Sequence, residues 1–300
     1  MSAWITSIEG TAAGHQAAMF LALSAAVLHA LFGSLQKGRL DPWTSRGIMD
    51  VFMVAMAIPV VIFLVPAPQG SEWLLLLGAI PIHFAYKVGM AMAYTRGAYT
   101  VVYPVVRGTG PAFTVLGAWL IFGEAFTPVQ LAGVATLLAG IFGLALYNLR
   151  HIVVARETLV SALAFAVGTG ALVALYTTYD ALAIRTLPNP FTFLAWFFLI
   201  TNLDFPALMV WRWHRLPLRP NGRDLFRNGF LGALVAYGSF GSVMLATRLD
   251  KVGEAAVLRE TSTVFAALIG WLVLKETVGP RRIALMTLIA LGAVIVEMGG

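Results

Sequence analysis

"VVYPVVRGTGPAFTVLGAWLIFGEAFTP", residues 101–128, has the length and apolarity of a membrane-spanning helix, but it carries a permanent charge at Arg107. A second stretch, "VLRETSTVFAALIGWLVLKETVGP" at residues 257–280, repeats the pattern with Arg259 in the equivalent place, 152 residues later. Compared without a gap over 46 positions around these stretches, the two copies share thirteen identities. Shared hydrophobicity does not align two arginines, a tryptophan, a glutamate and a proline, so the pattern indicates an internal duplication.

The composition predicts an all-α integral membrane protein. Of the 300 residues, 59% are hydrophobic and 11% are charged, whereas about 25% of the residues in a soluble domain are charged. A membrane-spanning helix needs about 20 mostly apolar residues, and the chain offers ten such stretches in two halves, residues 1–150 and 151–300. The predicted spans are residues 17–36, 43–65, 72–95, 98–123, 127–147, 157–184, 190–213, 226–247, 252–274 and 279–297.

Several classes of function are disfavoured by what the sequence lacks. Ten spans leave no room for a soluble catalytic or nucleotide-binding domain. The chain has no cysteine, no HExxH metal motif and no GxxxxGK[ST] nucleotide loop. We therefore expect no enzyme activity, no catalytic residues, no cofactor and no metal site.

The distribution of lysine and arginine predicts the orientation. The odd-numbered loops hold fourteen of these residues, and the even-numbered loops hold only Arg185, Arg248 and Lys251. Positively charged loops tend to stay cytoplasmic, so both termini are expected outside a bacterial-type inner membrane. The net charge of +6 is then a topology signal and does not indicate nucleic-acid binding. The expected partners are lipid and a small-molecule substrate, and we expect a monomer rather than an oligomer.

The parity of the spans suggests a mechanism. Five spans is an odd number, so the second half must enter the membrane in the opposite orientation. Inverted repeats are common in transporters, which hold the substrate near the midplane where the halves meet. Such a pair of halves predicts alternating access.

A resemblance to a known family rests on two segments. "LGAWLIFGEAFTPVQLAGVATLLAGI", residues 116–141, resembles the signature of the EamA-type half of the drug/metabolite transporter superfamily, and "IGWLVLKETVGPRRIALMTLIALGAVIV" resembles a degenerate second copy. The sequence departs from the family pattern at Leu285, where a glycine is expected. "HFAYK" in the third span is most similar to the YddG-type bacterial aromatic amino-acid exporters. The resemblance implies ten spans and an aromatic and basic substrate cavity.

Three basic residues lie deep within predicted spans, namely Lys87, Arg107 and Arg259. Each costs at least about 2.5 to 3.5 kcal/mol to insert. One interpretation is structural pairing with the buried carboxylates Asp50, Asp204 and Glu260. The other is binding of a carboxylate substrate, and a pair that lines a cavity can serve both roles.

The third span carries a stripe at helical spacing that includes a lysine, which is unusual for a packing surface. Tyr103 and Tyr237 are further candidates for aromatic walls, although ordinary packing explains them equally well. His29 lacks an ionic neighbour at helical spacing, and we leave it out of the predicted site. The stripe consists of His83, Tyr86, Lys87, Met90 and Tyr94.

The two equivalent arginines have different neighbours. Arg107 shares one helical face with Pro104 and Pro111, which should bend the helix and expose backbone to a polar cavity. Arg259 has neither proline and precedes Glu260. We predict that Arg107 contacts the substrate carboxylate or gates the cavity in at least one state. Arg259, although included in the predicted substrate site, is predicted to be mainly structural.

Glu124 and its repeat equivalent Glu276 each lie at the end of a span, just before a proline. A role in proton relay is one interpretation. Capping of the following helix explains them more simply.

Taken together, these patterns predict a carrier that exports small amphipathic metabolites, amino acids first and aromatic ones by preference. The deep cations favour a carboxylate, and the tyrosines favour a flat apolar group. The alternative is efflux of lipophilic cationic drugs, and a channel or a membrane-embedded enzyme is a weaker alternative. The predicted substrate site consists of His83, Tyr86, Lys87, Tyr103, Arg107, Tyr237 and Arg259.

Overall fold

The computed structural model describes residues 2–36, 40–96, 99–151, 156–216, 219–272 and 279–299. The described residues form helices joined by short connections, and no strand occurs among them. The helices are α1 (Ser2–Ile8), α2 (Ala12–Gln36), α3 (Pro42–Phe63), α4 (Glu72–Arg96), α5 (Tyr99–Phe122), α6 (Pro128–His151), α7 (Arg156–Thr186), α8 (Pro190–Ile200), α9 (Asp204–Trp213), α10 (Gly222–Leu249), α11 (Val252–Arg259), α12 (Ser262–Leu272) and α13 (Pro280–Met298).

Eight helical segments within these ranges are long and apolar enough to cross a membrane. They correspond to the first eight predicted spans, and the seventh of them combines α8 and α9. The ninth predicted span contains two short helices, α11 and α12, and the tenth corresponds to α13. Large apolar side chains such as Phe20, Phe63 and Leu64 are exposed, as expected for faces that meet lipid. A count of ten spans stays a prediction.

The same start signal precedes a helix in each half. The side chain of Asp41 accepts a hydrogen bond from the backbone N–H of Thr44 at 2.9 Å, and Pro42 follows as the first residue of α3. Asn189 likewise accepts from the N–H of Phe191 at 3.0 Å before Pro190 begins α8. An Asp or Asn cap followed by proline satisfies the first N–H groups and fixes the helical φ.

Each of the main contacts between helices recurs when every helix is replaced by its equivalent in the other half. α2 packs against α10 and α12, and correspondingly α7 packs against α4 and α5. α3 packs against α10, as α8 packs against α4. α6 and α13, which are equivalent in the two repeats, pack against each other. The duplication seen in the sequence is therefore also a duplication of the packing.

Glycines bring α6 and α13 close together. A Cβ atom on Gly292 would lie 2.4 Å from the backbone nitrogen of Leu137, and one on Gly133 would lie 2.9 Å from the carbonyl oxygen of Gly292. Leu285, the departure from the family pattern, occupies the space beside Gly143, where an added Cβ would lie 2.5 Å from its side chain. Small residues permit this close approach of two backbones within a membrane.

The two arginine-bearing helices differ in continuity, and a bend of α5 at its prolines stays a prediction. α5 stays helical from Tyr99 to Phe122 through both prolines, whereas its proline-free equivalent breaks between Arg259 and Ser262. The hydroxyl groups of Thr261 and Thr263 donate to the carbonyl oxygens of Leu258 and Glu260 at 2.7 and 2.8 Å. Threonine and serine hydroxyls compete with backbone N–H groups in this way, so "ETST" breaks the helix without proline.

Candidate functional site

A cavity of about 240 Å³ lies in the helix bundle. Residues from α2, α3, α4, α5 and α7 contribute to its wall, together with the connection before α3. Its lining residues are His29, Phe32, Leu40, Pro42, Ser45, Arg46, Tyr86, Lys87, Met90, Ala91, Tyr94, Tyr103, Val106, Arg107, Val173 and Tyr176.

The charged side chains of the lining are all cationic. Arg46, Lys87 and Arg107 line the cavity, and no aspartate or glutamate occurs among the described lining residues. The carboxylates that balance these cations lie behind the wall. The cavity therefore presents cationic hydrogen-bond donors to a molecule that enters it.

Lys87 is the centre of a buried ionic network. Its Nζ atom donates to Asp50 at 2.9 Å, to Asp204 at 2.6 Å and to the carbonyl oxygen of Thr201 at 2.6 Å. Asp50, which is fully buried, also pairs with Arg46 at 2.8 Å. Two cations thus face two carboxylates. The Thr201 carbonyl can accept a hydrogen bond from Lys87 because the chain between α8 and α9 is not helical there. Non-helical backbone is tolerated at membrane depth only where groups of the protein satisfy its hydrogen bonds.

Arg107 and Arg259 share one carboxylate. Glu260 Oε1 lies 3.0 Å from Arg107 and 3.6 Å from Arg259, and Glu260 is fully buried. Arg107 also donates to the hydroxyl of Ser262 at 3.4 Å. Glu260 follows Arg259 in the sequence, but its closer partner is Arg107, because the break after α11 turns this residue toward α5. One carboxylate does not neutralise two guanidinium groups.

Aromatic rings surround the cationic groups. The rings of Tyr86 and Tyr176 meet edge to face with their centroids 4.9 Å apart, and the Arg107 guanidinium lies 5.4 Å from the ring centroid of Tyr103. His29 contacts Phe32 with a centroid separation of 5.8 Å. These surfaces suit a flat apolar group beside a charged one.

The structure brings four of the seven predicted site residues into the cavity lining, namely Tyr86, Lys87, Tyr103 and Arg107. The other three lie outside that lining. His83 pairs through Nε2 with Asp180 at 2.9 Å. Tyr237 donates to the carbonyl oxygen of Met53 at 2.8 Å and packs on Phe198. Arg259 lines a separate small chamber.

Three notable lining residues that were not in the predicted site are His29, Arg46 and Tyr176. His29 has no ionic neighbour along its own helix, but the fold places it in the wall. Arg46 is counted among the basic residues of the odd-numbered loops, although it falls at the start of the predicted span 43–65. It lies in α3 with Asp50 one turn away. Tyr176 lies in an apolar stretch of α7, and its spacing of four from Asp180 was the only available signal.

One end of the bundle, formed by the α7–α8 and α10–α11 connections, is closed by polar contacts. Arg185 donates to the carbonyl oxygens of Thr247 and Asp250 at 2.7 and 2.6 Å. Arg248 donates to the carbonyl oxygen of Leu187 at 2.7 Å and pairs with Glu9. These contacts join α7, α10 and the N-terminal segment, so this end offers no wide opening between them.

A group of titratable side chains near this closed end has the spacing of metal ligands. One ligand atom each of His15, Asp250 and Glu254 lies within 4.8 Å of the others. Their contacts within the protein account for them, since His15 pairs with Asp250 and Glu254 pairs with Lys251 at 2.7 Å.

Glu124 caps a helix, but not the one we predicted. Its two carboxylate oxygens accept hydrogen bonds from the backbone N–H groups of Val252 at 2.7 Å and Gly253 at 3.1 Å, at the start of α11. The following helix, α6, is instead capped reciprocally by Thr127 and Gln130. Glu276, the repeat equivalent, lies outside the described residues. Glu124 therefore links the two halves.

The sequence matches a model of the EamA-like transporter family twice, over residues 16–146 and 160–298. The chain belongs to the EamA-like transporter family. No curated protein matches this EamA-like chain. A solved structure described as "Crystal structure of protein" has a TM-score of 0.75 and 17% sequence identity, covering 94% of this chain and 98% of its own. At that identity the likeness shows the fold alone. The chain is thus a multi-pass membrane transporter with two repeated EamA domains.

Proposed function

We propose that this EamA-like transporter exports small amphipathic metabolites that carry a carboxylate and an apolar group, with amino acids first and aromatic ones preferred. The observation that carries the proposal is the composition of the described cavity lining, which combines three cations and four tyrosines with no carboxylate. A cationic drug would need an acidic residue in that wall. The lining therefore supports the carboxylate substrate over the alternative of cationic-drug efflux.

The size of the cavity supports the same choice. An apolar cavity of about 150 Å³ holds one benzene molecule. A cavity of about 240 Å³ accommodates one aromatic ring with a short polar head. It does not accommodate a large polycyclic drug without expansion.

Within this proposal the cavity residues have distinct roles. Arg107 receives the carboxylate, because its Nη1 atom is held by Glu260, a carboxylate that a substrate carboxylate can replace. Tyr86, Tyr103 and Tyr176 contact the apolar group. Lys87 has three acceptors of its own and contributes mainly the positive potential of the wall.

Transport proceeds by alternating access between two inverted halves of five spans each, residues 1–150 and 151–300, acting as a monomer in a bacterial-type inner membrane. The lysine and arginine distribution supports extracytoplasmic termini. With that orientation the closed end is extracytoplasmic, and the cavity is reached from the cytoplasmic connection before α3, which contributes Leu40 to its lining.

Counterflow in proteoliposomes tests the proposal. Purified protein is screened against the twenty amino acids and several cationic dyes. We expect saturable exchange of aromatic amino acids, and a loss of about ten- to a hundredfold in Arg107→Gln because a charged hydrogen bond is removed. Arg223→Gln, an exposed arginine at the start of α10, is the control and should behave like the wild type.

Three outcomes would contradict the proposal. Exchange of dyes but not of amino acids would support drug efflux. Flux that does not saturate and shows no counterflow would indicate a channel. Chemical conversion of the substrate would indicate an enzyme.

A further inference from the structure

A second, much smaller chamber lies beside the main cavity. Its volume is about 10 Å³, which is room for about one water molecule. Helices α7, α10 and α11 supply all its lining residues: Tyr176, Thr177, Asp180, Phe240, Val243, Met244, Thr247 and Arg259. Tyr176 lines both spaces, so this one side chain lies between them.

The position of the chamber follows from the duplication. The helices that line it, α7, α10 and α11, are the repeat equivalents of α2, α4 and α5, which line the main cavity. Arg259 lines the chamber as its equivalent Arg107 lines the main cavity. The chamber also adjoins the closed end, because Thr247 lines it and accepts a hydrogen bond from Arg185. The chamber therefore lies where the substrate cavity would lie if the transporter opened to the opposite side of the membrane.

Two buried polar atoms near the chamber lack partners. The Oδ1 atom of Asp180 and the hydroxyl oxygen of Thr177 have no hydrogen-bond partner, and both residues are at least nine-tenths buried. The other oxygen of Asp180 is held by His83 at 2.9 Å. An unsatisfied buried acceptor costs roughly 1 to 3 kcal/mol. A buried group of this kind is one that a bound water, an ion or a polar group of a ligand can complete.

The chemistry of the lining matches one class of ligand. Arg259 offers a cation for a carboxylate, and Asp180 offers an acceptor for an ammonium group. Tyr176, Phe240 and Met244 offer apolar surface for a side chain. A carboxylate, an ammonium group and an apolar group occur together in an α-amino acid with an apolar side chain.

We propose that this chamber is the contracted form of a second substrate subsite, in which Asp180 binds the ammonium group of an amino acid on its way out. Arg259, expected from the sequence to be mainly structural, takes over the carboxylate from Arg107 in this proposal. Glu260, which contacts both guanidinium groups, exchanges its pairing between them. The inference rests on the proposed function. It adds that the substrate is a zwitterion, so that a carboxylic acid without an amino group is a poor substrate.

The test compares phenylalanine with 3-phenylpropionate, which lacks only the ammonium group, in proteoliposome counterflow. We expect the wild type to exchange phenylalanine at least about tenfold faster, the effect of one charged hydrogen bond. In Asp180→Asn the preference should fall to within about twofold, mainly through slower exchange of phenylalanine. His83→Leu is the control, because it removes the His83–Asp180 contact but retains the charged acceptor, and its preference should persist.

The outcomes separate the inference from the function on which it rests. If the wild type exchanges neither compound, the proposed function is wrong. If the wild type exchanges both at equal rates, the carboxylate and aromatic preference stands but the ammonium subsite is refuted, whether or not the variants fold. Retained preference in Asp180→Asn, or an equal loss of both compounds in a folded Asp180→Asn, also overturns the inference, the latter in favour of a structural or proton-binding role.

Discussion

Replacement of Lys87 by methionine is the sharpest test of the buried ionic network. The change keeps the length and apolar stem of the side chain but removes three hydrogen bonds, to Asp50, Asp204 and the Thr201 carbonyl. Asp50 retains Arg46, but Asp204 loses its only ionic partner among the described residues. The side chain of Asp204 is 17% exposed, so water compensates the stranded carboxylate only in part.

The expected cost follows from this geometry. Removing one partner of a buried ion pair typically destabilises a protein by about 3 to 5 kcal/mol. At about 1.6 °C per kcal/mol for a chain of 300 residues, the apparent Tm in detergent should fall by about 5 to 8 °C. The double variant Lys87→Met/Asp204→Asn removes the stranded charge together with the lysine. It should recover more than half of the lost Tm but not the lost transport, since the cavity still lacks a cation.

The assay is thermal unfolding of purified protein, together with counterflow of an aromatic amino acid. Lys251→Met is the control, because the ion pair of Lys251 is partly exposed and Glu254 keeps a hydrogen bond from Gln130; its cost should stay within about 1 kcal/mol. An unchanged Tm in Lys87→Met would refute the reasoning. So would a double variant whose loss equals the sum of the two single losses, because that result would mean that the two residues do not interact.

Two further predictions concern packing and capping. Gly292→Ala should destabilise the protein by about 1 to 3 kcal/mol, because its Cβ would lie 2.4 Å from the backbone of α6. Gly168→Ala is the control, because no atom lies within 4 Å of its Cβ, and its Tm should be unchanged or slightly raised. Equal Tm values for the two variants would contradict the close packing of α6 on α13. Glu124→Ala should lower the free energy of unfolding by about 0.5 to 2 kcal/mol, because the α11 cap is lost. Glu124→Gln should keep net transport and its proton dependence. Loss of net transport with intact counterflow in Glu124→Gln would instead support the proton-relay interpretation.

The sequence alone determined the membrane class, the repeat and part of the cavity. Hydropathy is a local property, since each stretch of about 20 residues reports its own preference for lipid. The repeat is visible because both copies lie on one chain in constant register. Tyr86 and Lys87 were predictable because a lysine on the same stripe as tyrosines needs a polar surrounding wherever the helix packs.

Only the tertiary structure decided which charges meet. Lys87 takes two carboxylates, and Glu260 serves two arginines, because the helix packing brings together residues that are far apart in sequence. The same holds for the His83–Asp180 pair and for Glu124, which caps a helix of the other half. A charge in a span indicates that a partner exists, because burial without one costs too much. It does not indicate which partner, because that choice depends on distances of a few ångströms between helices, and no local pattern of residues encodes them.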